Sequence, residues 1–258
     1  FDQAIHQAFT RRAELEAALR VALERQQIEA WFQPIVDGHH QQIRSIEALA
    51  RWRLEGVWIA PDEFIPIAEE AGLIGELGRQ MLLASCAMLR RLHDLGWLMS
   101  CSVNVSIRQF SEGDLGAEIM ALLQAHQLSP AWLHLEVTES LIAQREVELS
   151  ETLNRLSTLG LRLHLDDFGT GYSSLSRLQQ LPLHALKIDR SFVTPLSDGH
   201  TVMVHTIVEM ARSLGLQVIA EGVETLAHCN ALLRLGCDRA QGYYIAKPMP
   251  VEEFPDWL

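Results

Sequence analysis

The chain has 258 residues, 48% of them hydrophobic, and a formal net charge of −12 at pH 7. This apolar content is enough for one sizeable core and argues against a disordered chain. The acidic balance argues against general DNA binding, which needs Lys and Arg to neutralise phosphates. It leaves open an anionic substrate, because bound cations reverse the local charge. No apolar run reaches the ~18 residues that span a bilayer, and no signal peptide is visible.

The cysteines and the first residue bear on where the protein works. Cys86, Cys101, Cys229 and Cys237 show no CxxC spacing, which is typical of reduced thiols in a cytosolic protein. We therefore expect a cytoplasmic domain. The chain starts at Phe1 and not at Met, which predicts a fragment of a longer protein. The prediction leaves open a membrane anchor upstream in the full-length protein.

The first predicted element is a helix over residues 1 to about 27. Apolar residues recur in it at helical spacing between Ile5 and Leu23. Two interpretations stay open: a linker helix that arrives from an upstream domain, or a helix that packs on the core. We predict a linker helix over 1–14 and the domain proper over 15–258.

From residue 30 onward, short β-rich runs alternate with longer helical patterns. The predicted strands are 31–36, 43–49, 102–105, 133–137, 161–165, 183–188, 217–220 and 240–245. The predicted helices between them are 61–95, 115–126, 146–159, 202–214 and 225–235. Strands that alternate with helices pair in parallel. This number of strands in a chain of this length indicates an α/β fold of the (β/α)₈ barrel type, with a doubly wound open sheet as the alternative.

A polar residue stands at or just after the end of almost every predicted strand. These residues are Glu47, Asn104, Glu136, Asp166, Asp167, Lys187, Glu221 and Gln241. In a barrel, the carboxyl ends of the strands converge on one face, and that face carries the chemistry. We therefore expect these side chains to form one site.

Five of these side chains are carboxylates, and only one is a lysine. Like charges at close range are too costly to leave uncompensated, so bound divalent cations are expected. An all-oxygen donor set suits Mg²⁺ or Mn²⁺. No His or Cys stands at a strand end, which argues against zinc.

The adjacent Asp166 and Asp167 can both reach the site where the chain turns at the strand end. One could then bridge two metals while the other binds one. Two metals can activate water and stabilise the oxygens of phosphoryl transfer, with Lys187 holding the water or neutralising charge. The residues alone predict a metal-dependent hydrolase of phosphate esters.

The same residues lie in segments that resemble the EAL-domain family. Glu47-Ala48-Leu49-Ala50-Arg51 is similar to the signature of the family. The other similar segments follow in the order of the family between about residues 15 and 252; they are 33–36, 61–70, 102–106, 136–139, 166–174, 187–189, 220–224 and 241–243. The resemblance implies a modified TIM-like barrel in which one strand, usually the first, runs antiparallel. It also implies hydrolysis of cyclic di-GMP to linear pGpG with two Mg²⁺ or Mn²⁺ ions.

The resemblance further implies which residues form the site. The implied metal ligands, some of them through water, are Glu47, Asn104, Glu136, Asp166, Asp167 and Glu221. The implied catalytic residues are Glu47, Lys187, Glu221 and Glu224, with Lys187 contacting the attacking water and the general base left open. The implied substrate-binding residues are Gln33, Leu49, Arg51 and Gln241.

Residues 167–174 resemble the loop that couples the metal site to dimerisation in the family. This loop contains Phe168, Gly169 and Gly171, and Glu139 would anchor it. The resemblance therefore implies a homodimer. An upstream sensory or diguanylate-cyclase-like domain is also expected.

Three functional hypotheses follow. The first is an active phosphodiesterase, for which every ligand position keeps an oxygen donor. The second is a catalytically silent receptor of cyclic di-GMP; such members usually lose Glu47, an aspartate or the lysine, and this chain has lost none. The third is an unrelated barrel enzyme such as an aldolase, which would need a Schiff-base lysine in a less acidic pocket.

Overall fold

The computed structural model describes residues 2–37, 42–111, 113–139, 142, 146–171 and 175–258. The strands of this part of the chain are β1 (Ile28–Asp37), β2 (Ile43–Leu54), β3 (Val57–Ile59), β4 (Ser100–Asn104), β5 (Leu133–Thr138), β6 (Arg162–Phe168), β7 (Ala185–Ile188), β8 (Gln217–Ala220), β9 (Arg239–Ala240) and β10 (Met249–Pro250).

A closed barrel is formed by β1, β2 and β4 to β9. Strand β2 and strands β4 to β9 pair in parallel, each with the next. Strand β1 runs antiparallel to both β2 and β9 and so closes the barrel. The prediction of a modified (β/α)₈ barrel with an antiparallel first strand is confirmed, and the doubly wound alternative is wrong.

Helices cover the outside of the barrel. The longer ones are α1 (Asp2–Glu24), α2 (Pro61–Glu70), α3 (Ile74–Asp94), α4 (Leu115–Ala125), α5 (Glu146–Thr158), α6 (Val202–Ser213) and α7 (Leu226–Leu235). Shorter helical turns are Ile107–Ser111, Pro130–Trp132, Leu175–Leu178, Arg190–Val193, Thr194–Asp198 and Phe254–Trp257. The single helix predicted over 61–95 is two helices, because Gly72 between α2 and α3 adopts φ +69°, which ends a right-handed helix.

Two predicted strand ends differ from the structure by five residues each, more than the other strand boundaries do. Strand β2 continues past Leu49 and pairs with β3, which the sequence did not predict. The last barrel strand ends at Ala240 and does not run to residue 245. Beyond Ala240, the chain bends and packs against Val223. The N–H of Val223 donates to Gln241 O at 3.0 Å, and its carbonyl accepts from Tyr244 N at 2.9 Å.

Helix α1 is continuous, and its carboxyl-terminal half packs on the domain. Leu15, Leu19 and Leu23 are buried in a cluster with Trp52 and Phe64. This packing stabilises the last turns of the helix against α2 and β2. The division at residue 14 into linker and domain stays a prediction.

Much of the barrel interior below the strand ends is built from apolar residues and histidines. Ile35, Ala185 and Ile219 form a small apolar cluster of fully buried side chains. Beside it, the rings of His134 and His164 lie 4.5 Å apart, centroid to centroid, and both residues are buried. This layer lies directly beneath the polar residues that end the strands.

Candidate active site

Lys187 on β7 lies at the centre of the carboxyl end of the barrel and is fully buried. Its Nζ lies 2.6 Å from Glu221 Oε1, 2.7 Å from Glu136 Oε2, 3.2 Å from Asp166 Oδ1 and 3.3 Å from Glu47 Oε2. These carboxylates come from four different strands or strand ends. The barrel therefore brings together residues that lie far apart in the sequence, around a single cation.

The electrostatics of this cluster are unfavourable for the carboxylates. Burial raises the pKa of Glu47, Glu136, Asp166 and Glu221, and neighbouring carboxylates add to the rise while Lys187 opposes it. For Lys187, burial alone would lower the pKa, but the surrounding carboxylates, Asp166 first, raise it well above its usual range. One ammonium faces four carboxylates, so the site keeps an excess of negative charge that a cation would neutralise.

Two overlapping sets of carboxylates could hold metal ions. Glu47, Glu136 and Asp166 offer oxygens within 4.8 Å of one another, and so do Asp166, Asp167 and Glu221. Asp166 belongs to both sets. The buried Glu136 Oε1 has no hydrogen-bond partner among the described residues, so it is free to coordinate. An all-oxygen set with a shared carboxylate fits two hard divalent cations.

Three amide side chains surround Glu47. Asn104 Nδ2 donates to Glu47 Oε1 at 3.0 Å, and Gln241 Nε2 donates to Glu47 Oε2 at 2.7 Å. Gln241 also donates to Gln33 Oε1 at 2.9 Å, and Gln33 donates to Ala246 O at 2.9 Å. The structure therefore connects the predicted ligand Asn104 and the predicted substrate contacts Gln33 and Gln241 through one carboxylate.

Asp167 adopts the left-handed conformation, with φ +53°. Asp tolerates this region better than most residues, and its side chain is half-buried. Burial raises the pKa of Asp167, as does Asp189 nearby. The reversal of the backbone lets Asp166 and Asp167, although adjacent, both offer oxygens to one set of carboxylates.

The buried Glu139 holds the segment that follows β6. Its Oε2 accepts hydrogen bonds from the backbone N–H of Gly169 at 2.9 Å and of Gly171 at 3.1 Å. Gly169 has φ +101°, and a Cβ at this position would lie 2.5 Å from the ring of Phe192. Only glycine fits there. Phe168 ends β6 beside Ile188, and residues 172–174 of the predicted loop lie outside the described residues.

The structure does not bring Glu224 into the cluster. This residue is exposed, and its backbone N–H donates to His228 Nδ1 at 3.3 Å. In the described part of the chain, Lys187 forms no ion pair with it. Glu224 follows the motif of the family, and its role in the site stays a prediction.

An open cavity of about 420 Å³ lies at the strand ends. Glu47, Asp166 and Asp167 line it, together with Leu49 and Arg51. Arg51 is half-buried; burial lowers the pKa of its guanidinium, while Tyr243 and Glu47 oppose this. The cavity is therefore lined both by the acidic cluster and by the guanidinium of Arg51, which could bind a phosphate.

Sequence reasoning assigned no role to several residues that line this cavity. Asp62, Ser106 and Gln109 are among them. Ser106 Oγ donates to Glu69 Oε1 at 2.8 Å, and Ser106 N donates to Gln109 Oε1 at 2.9 Å. Segments 61–70 and 102–106, which resemble the family, carried the signal for Asp62 and Ser106, whereas Gln109 lies outside both.

Fold and site together define a (β/α)₈-type barrel protein with a candidate divalent-metal centre at the carboxyl ends of its strands. The family model of the EAL domain matches residues 16–248. The chain therefore belongs to the EAL domain family, and the resemblance seen in the sequence is confirmed.

Two curated relatives have names that state an activity. The chain is 41% identical over 243 residues to the bifunctional diguanylate cyclase/cyclic di-GMP phosphodiesterase MucR of Pseudomonas aeruginosa, covering 91% of this chain and 35% of MucR. It is 38% identical over 249 residues to the cyclic di-GMP phosphodiesterase PdeR of Escherichia coli, covering 94% of this chain and 37% of PdeR. The chain thus spans about a third of the length of the curated relatives it matches.

A solved structure supports the same assignment. The PaMucR phosphodiesterase in complex with c-di-GMP superposes with a TM-score of 0.89 at 39% identity, and the match covers 93% of this chain and 99% of that one. None of the helices in the described ranges is both long enough and apolar enough to cross a membrane.

Proposed function

We propose that this domain hydrolyses cyclic di-GMP to linear pGpG with two Mg²⁺ or Mn²⁺ ions. The observation that carries the proposal is the pair of carboxylate sets that share Asp166 around the buried Lys187. The names of MucR and PdeR support the choice of substrate. The intact protein is longer in these relatives, so the proposal concerns the domain.

The ions would be held by residues of both sets. One site would use Glu47, Glu136 and Asp166, with Asn104 beside them, and the other would use Asp166, Asp167 and Glu221. When bound, such ions lower the pKa of a coordinated water and stabilise negative charge on the phosphodiester. Gln241 would keep Glu47 oriented through its 2.7 Å hydrogen bond.

Lys187 would act as a hydrogen-bond donor. An ammonium has donors and no acceptor, and four carboxylates fix the position of its nitrogen. In that position it would hold the attacking water or neutralise charge on the phosphate. Glu221, at 2.6 Å from Lys187 Nζ, is a candidate to accept the proton of the water. The exposed position of Glu224 makes it a weaker candidate.

Arg51 and Leu49 would bind the substrate from the wall of the cavity. The planar guanidinium of Arg51 can donate two parallel hydrogen bonds to one phosphate. Leu49 would contact the apolar parts of the nucleotide. Gln33 would act from the other side, where its amide hydrogen-bonds to Gln241.

Turnover of cyclic di-GMP by the purified chain tests the proposal. The reaction is run with Mg²⁺, with Mn²⁺ and with EDTA, and chromatography resolves the products. We expect pGpG with either metal and none with EDTA. Tight binding of cyclic di-GMP without any product would favour the silent receptor and overturn the proposal.

The segment clamped by Glu139 leads to a second proposal, about assembly. Because Glu139 holds both Gly169 and Gly171, directly after the ligand Asp167, a shift of this segment would move the site. We propose that it couples the site to a homodimer interface. Sedimentation with and without metal and ligand tests this; only monomer at high concentration would contradict it.

We also propose that residues 1–14 connect the domain to an upstream sensory or diguanylate-cyclase-like module. The continuous helix α1 and the name of MucR support this. Deletion of residues 2–10 should leave the thermal unfolding of the domain unchanged. A large loss of stability would show instead that this segment belongs to the domain.

A further inference from the structure

A patch of two tryptophans and two arginines lies beyond the cavity on β1, β2 and β3. Residues opposite each other in an antiparallel pair lie on the same face of a sheet, as do residues two apart on one strand. Glu47 pairs with Gln33, and Leu49 pairs with Trp31. Trp31 and Arg51 therefore lie on the same face as the catalytic carboxylate Glu47.

The opposite face of these strands packs into the hydrophobic core. Phe32 and Ala48 are buried in the main core, and Trp52 and Ile59 are buried in the cluster under α1 and α2. Since alternate residues of β1 and β2 pack under the helices, the remaining ones face the open side above the site.

Strand β3 adds Trp58 to this face, because Trp58 pairs with Arg53. The rings of Trp31 and Trp58 meet edge to face, with centroids 5.2 Å apart. The guanidinium of Arg51 lies 5.9 Å from the centroid of Trp31, and that of Arg53 lies 5.6 Å from Trp58. We call these four side chains the aromatic wall.

The wall differs from an ordinary packed cluster in two respects. Trp58 remains 45% exposed, so much of its ring is not covered by the protein. Among the described residues, neither Arg51 nor Arg53 forms an ion pair, although the chain carries a net charge of −12. Their hydrogen bonds go to backbone carbonyls, of Ala50 and Gly56. Glu29 lies opposite Arg51 in the strand register, so the face of the wall carries two guanidinium groups beside this carboxylate. An exposed aromatic surface with such an excess of positive charge suits a ligand that is both planar and anionic, such as a nucleotide.

The position of the wall fits the same ligand. With a rise of about 3.3 Å per residue, Trp31 lies about 7 Å along the strand from the rung of Gln33 and Glu47. The ring of Trp58 reaches back to that of Trp31. Trp31 Nε1 donates to Glu29 Oε2 at 2.9 Å, which fixes the indole in place.

We propose that the aromatic wall is a purine-binding subsite of the active site, in which Trp58 stacks on one base of the dinucleotide while Arg51 holds the adjoining phosphate. This inference rests on the proposed function and deepens it. It makes Trp31 and Trp58 determinants of specificity for a purine dinucleotide over other phosphodiesters.

The test compares Trp58→Ala and Trp58→Phe with a matched control. Trp97→Ala is the control, because Trp97 is 44% exposed but precedes β4 at the opposite end of the barrel. We expect Trp58→Ala to raise KM for cyclic di-GMP about 5- to 100-fold at nearly unchanged kcat, the range of one base–aromatic stack. Trp58→Phe should restore most of the affinity, and Trp97→Ala should change neither constant. Thermal unfolding checks that each variant is folded.

Inhibition by GMP and by ribose 5-phosphate separates the base from the phosphate. Both inhibitors carry a phosphate and a ribose, but only GMP has a purine. The proposal predicts that Trp58→Ala weakens inhibition by GMP at least fivefold more than inhibition by ribose 5-phosphate. Equal weakening of the two, or a KM like that of Trp97→Ala, would overturn it.

A binding measurement keeps the subsite distinguishable from hydrolysis. If the wild-type chain gives no pGpG, calorimetry measures the dissociation constant for cyclic di-GMP in wild type, Trp58→Ala and Trp97→Ala. If only Trp58→Ala then binds cyclic di-GMP more weakly, the purine subsite is supported, although the proposed hydrolysis is wrong. The absence of binding in all three would overturn the subsite too.

Discussion

The carboxyl end of the barrel and the layer beneath it are built on the same strands, yet the first is strongly acidic and the second contains none of the carboxylates around Lys187. Moving two residues back along each strand replaces each charged residue by a neutral one that faces the same interior. The pairs are Glu47 with Ser45, Glu136 with His134, Asp166 with His164, Lys187 with Ala185, and Glu221 with Ile219.

This difference shows where the protein tolerates unfavourable charge. In the lower layer, burial lowers the pKa of His164 to about 3 and that of His134 well below its usual range, so both rings are neutral near pH 7. These two histidines therefore supply no positive charge to the carboxylates above them. Within the cluster, Lys187 compensates part of the negative charge, and bound cations entering from the open end would compensate more of it.

Replacement of Lys187 should have the largest effect, because it removes the one ammonium at the centre of the charged layer. We expect Lys187→Ala to abolish turnover and to lower the free energy of unfolding in EDTA by about 3–5 kcal/mol. Kinetic assays and urea unfolding measure the two effects. Lys247→Ala, at an exposed lysine, is the control and should change neither. Retained turnover would remove Lys187 from the mechanism.

Ile219 probes the neutral layer. Ile219→Ala removes buried methyl groups and should cost about 2–5 kcal/mol of stability, whereas Ile219→Val should cost about 1 kcal/mol. Urea unfolding measures both. Metal binding should persist in the folded variants, since the carboxylates are untouched. Loss of metal from folded Ile219→Ala would show that the two layers are not independent.

Gly169 probes the segment that leads away from the charged layer. Gly169→Ala combines a positive φ with a clash against Phe192 and should cost more than 2 kcal/mol. Gly199→Ala is the matched control: its φ is +83°, but no atom lies within 4 Å of the added Cβ, so about 1 kcal/mol is expected. Equal losses in thermal or urea unfolding would contradict the contact with Phe192.

Asp167 should show the smallest effect on stability. Asp167→Asn removes one like charge and keeps the left-handed backbone, which Asn also tolerates, so stability in EDTA should be unchanged or higher by up to about 1 kcal/mol. The stabilisation that Mg²⁺ gives to the wild type should shrink in this variant. Thermal unfolding with EDTA and with Mg²⁺ measures both effects, and Asp198→Asn is the control. If Mg²⁺ stabilises Asp167→Asn as much as it stabilises the wild type, Asp167 is not a ligand.

Much of the barrel could be predicted because its signals are local. Each parallel strand is a short apolar run between helical patterns, and the polar residues that end the strands identify the face of the site. The short hairpin strand Val57–Ile59 gave too little periodicity, so Trp58 was missed. The break at Gly72 was also missed, because apolar spacing continues through it.

Contacts between distant parts of the chain could not be predicted from local patterns. Gln241 reaches Glu47 across 194 residues, and the bend that allows this comes from packing on Val223. The same bend ended the last barrel strand early. Glu224 shows the limit of a motif: its role in the site stays a prediction, because the side chain is exposed after β8.

The central claim is that Asp166 belongs to both metal-binding sets of carboxylates. Counting bound Mn²⁺ by equilibrium dialysis tests this claim most directly. The account predicts two ions for the wild type, one for Asp167→Asn and none for Asp166→Asn, because only Asp166 belongs to both sets of carboxylates. Equal losses in the two variants, or an unchanged count in Asp166→Asn, would contradict the shared site.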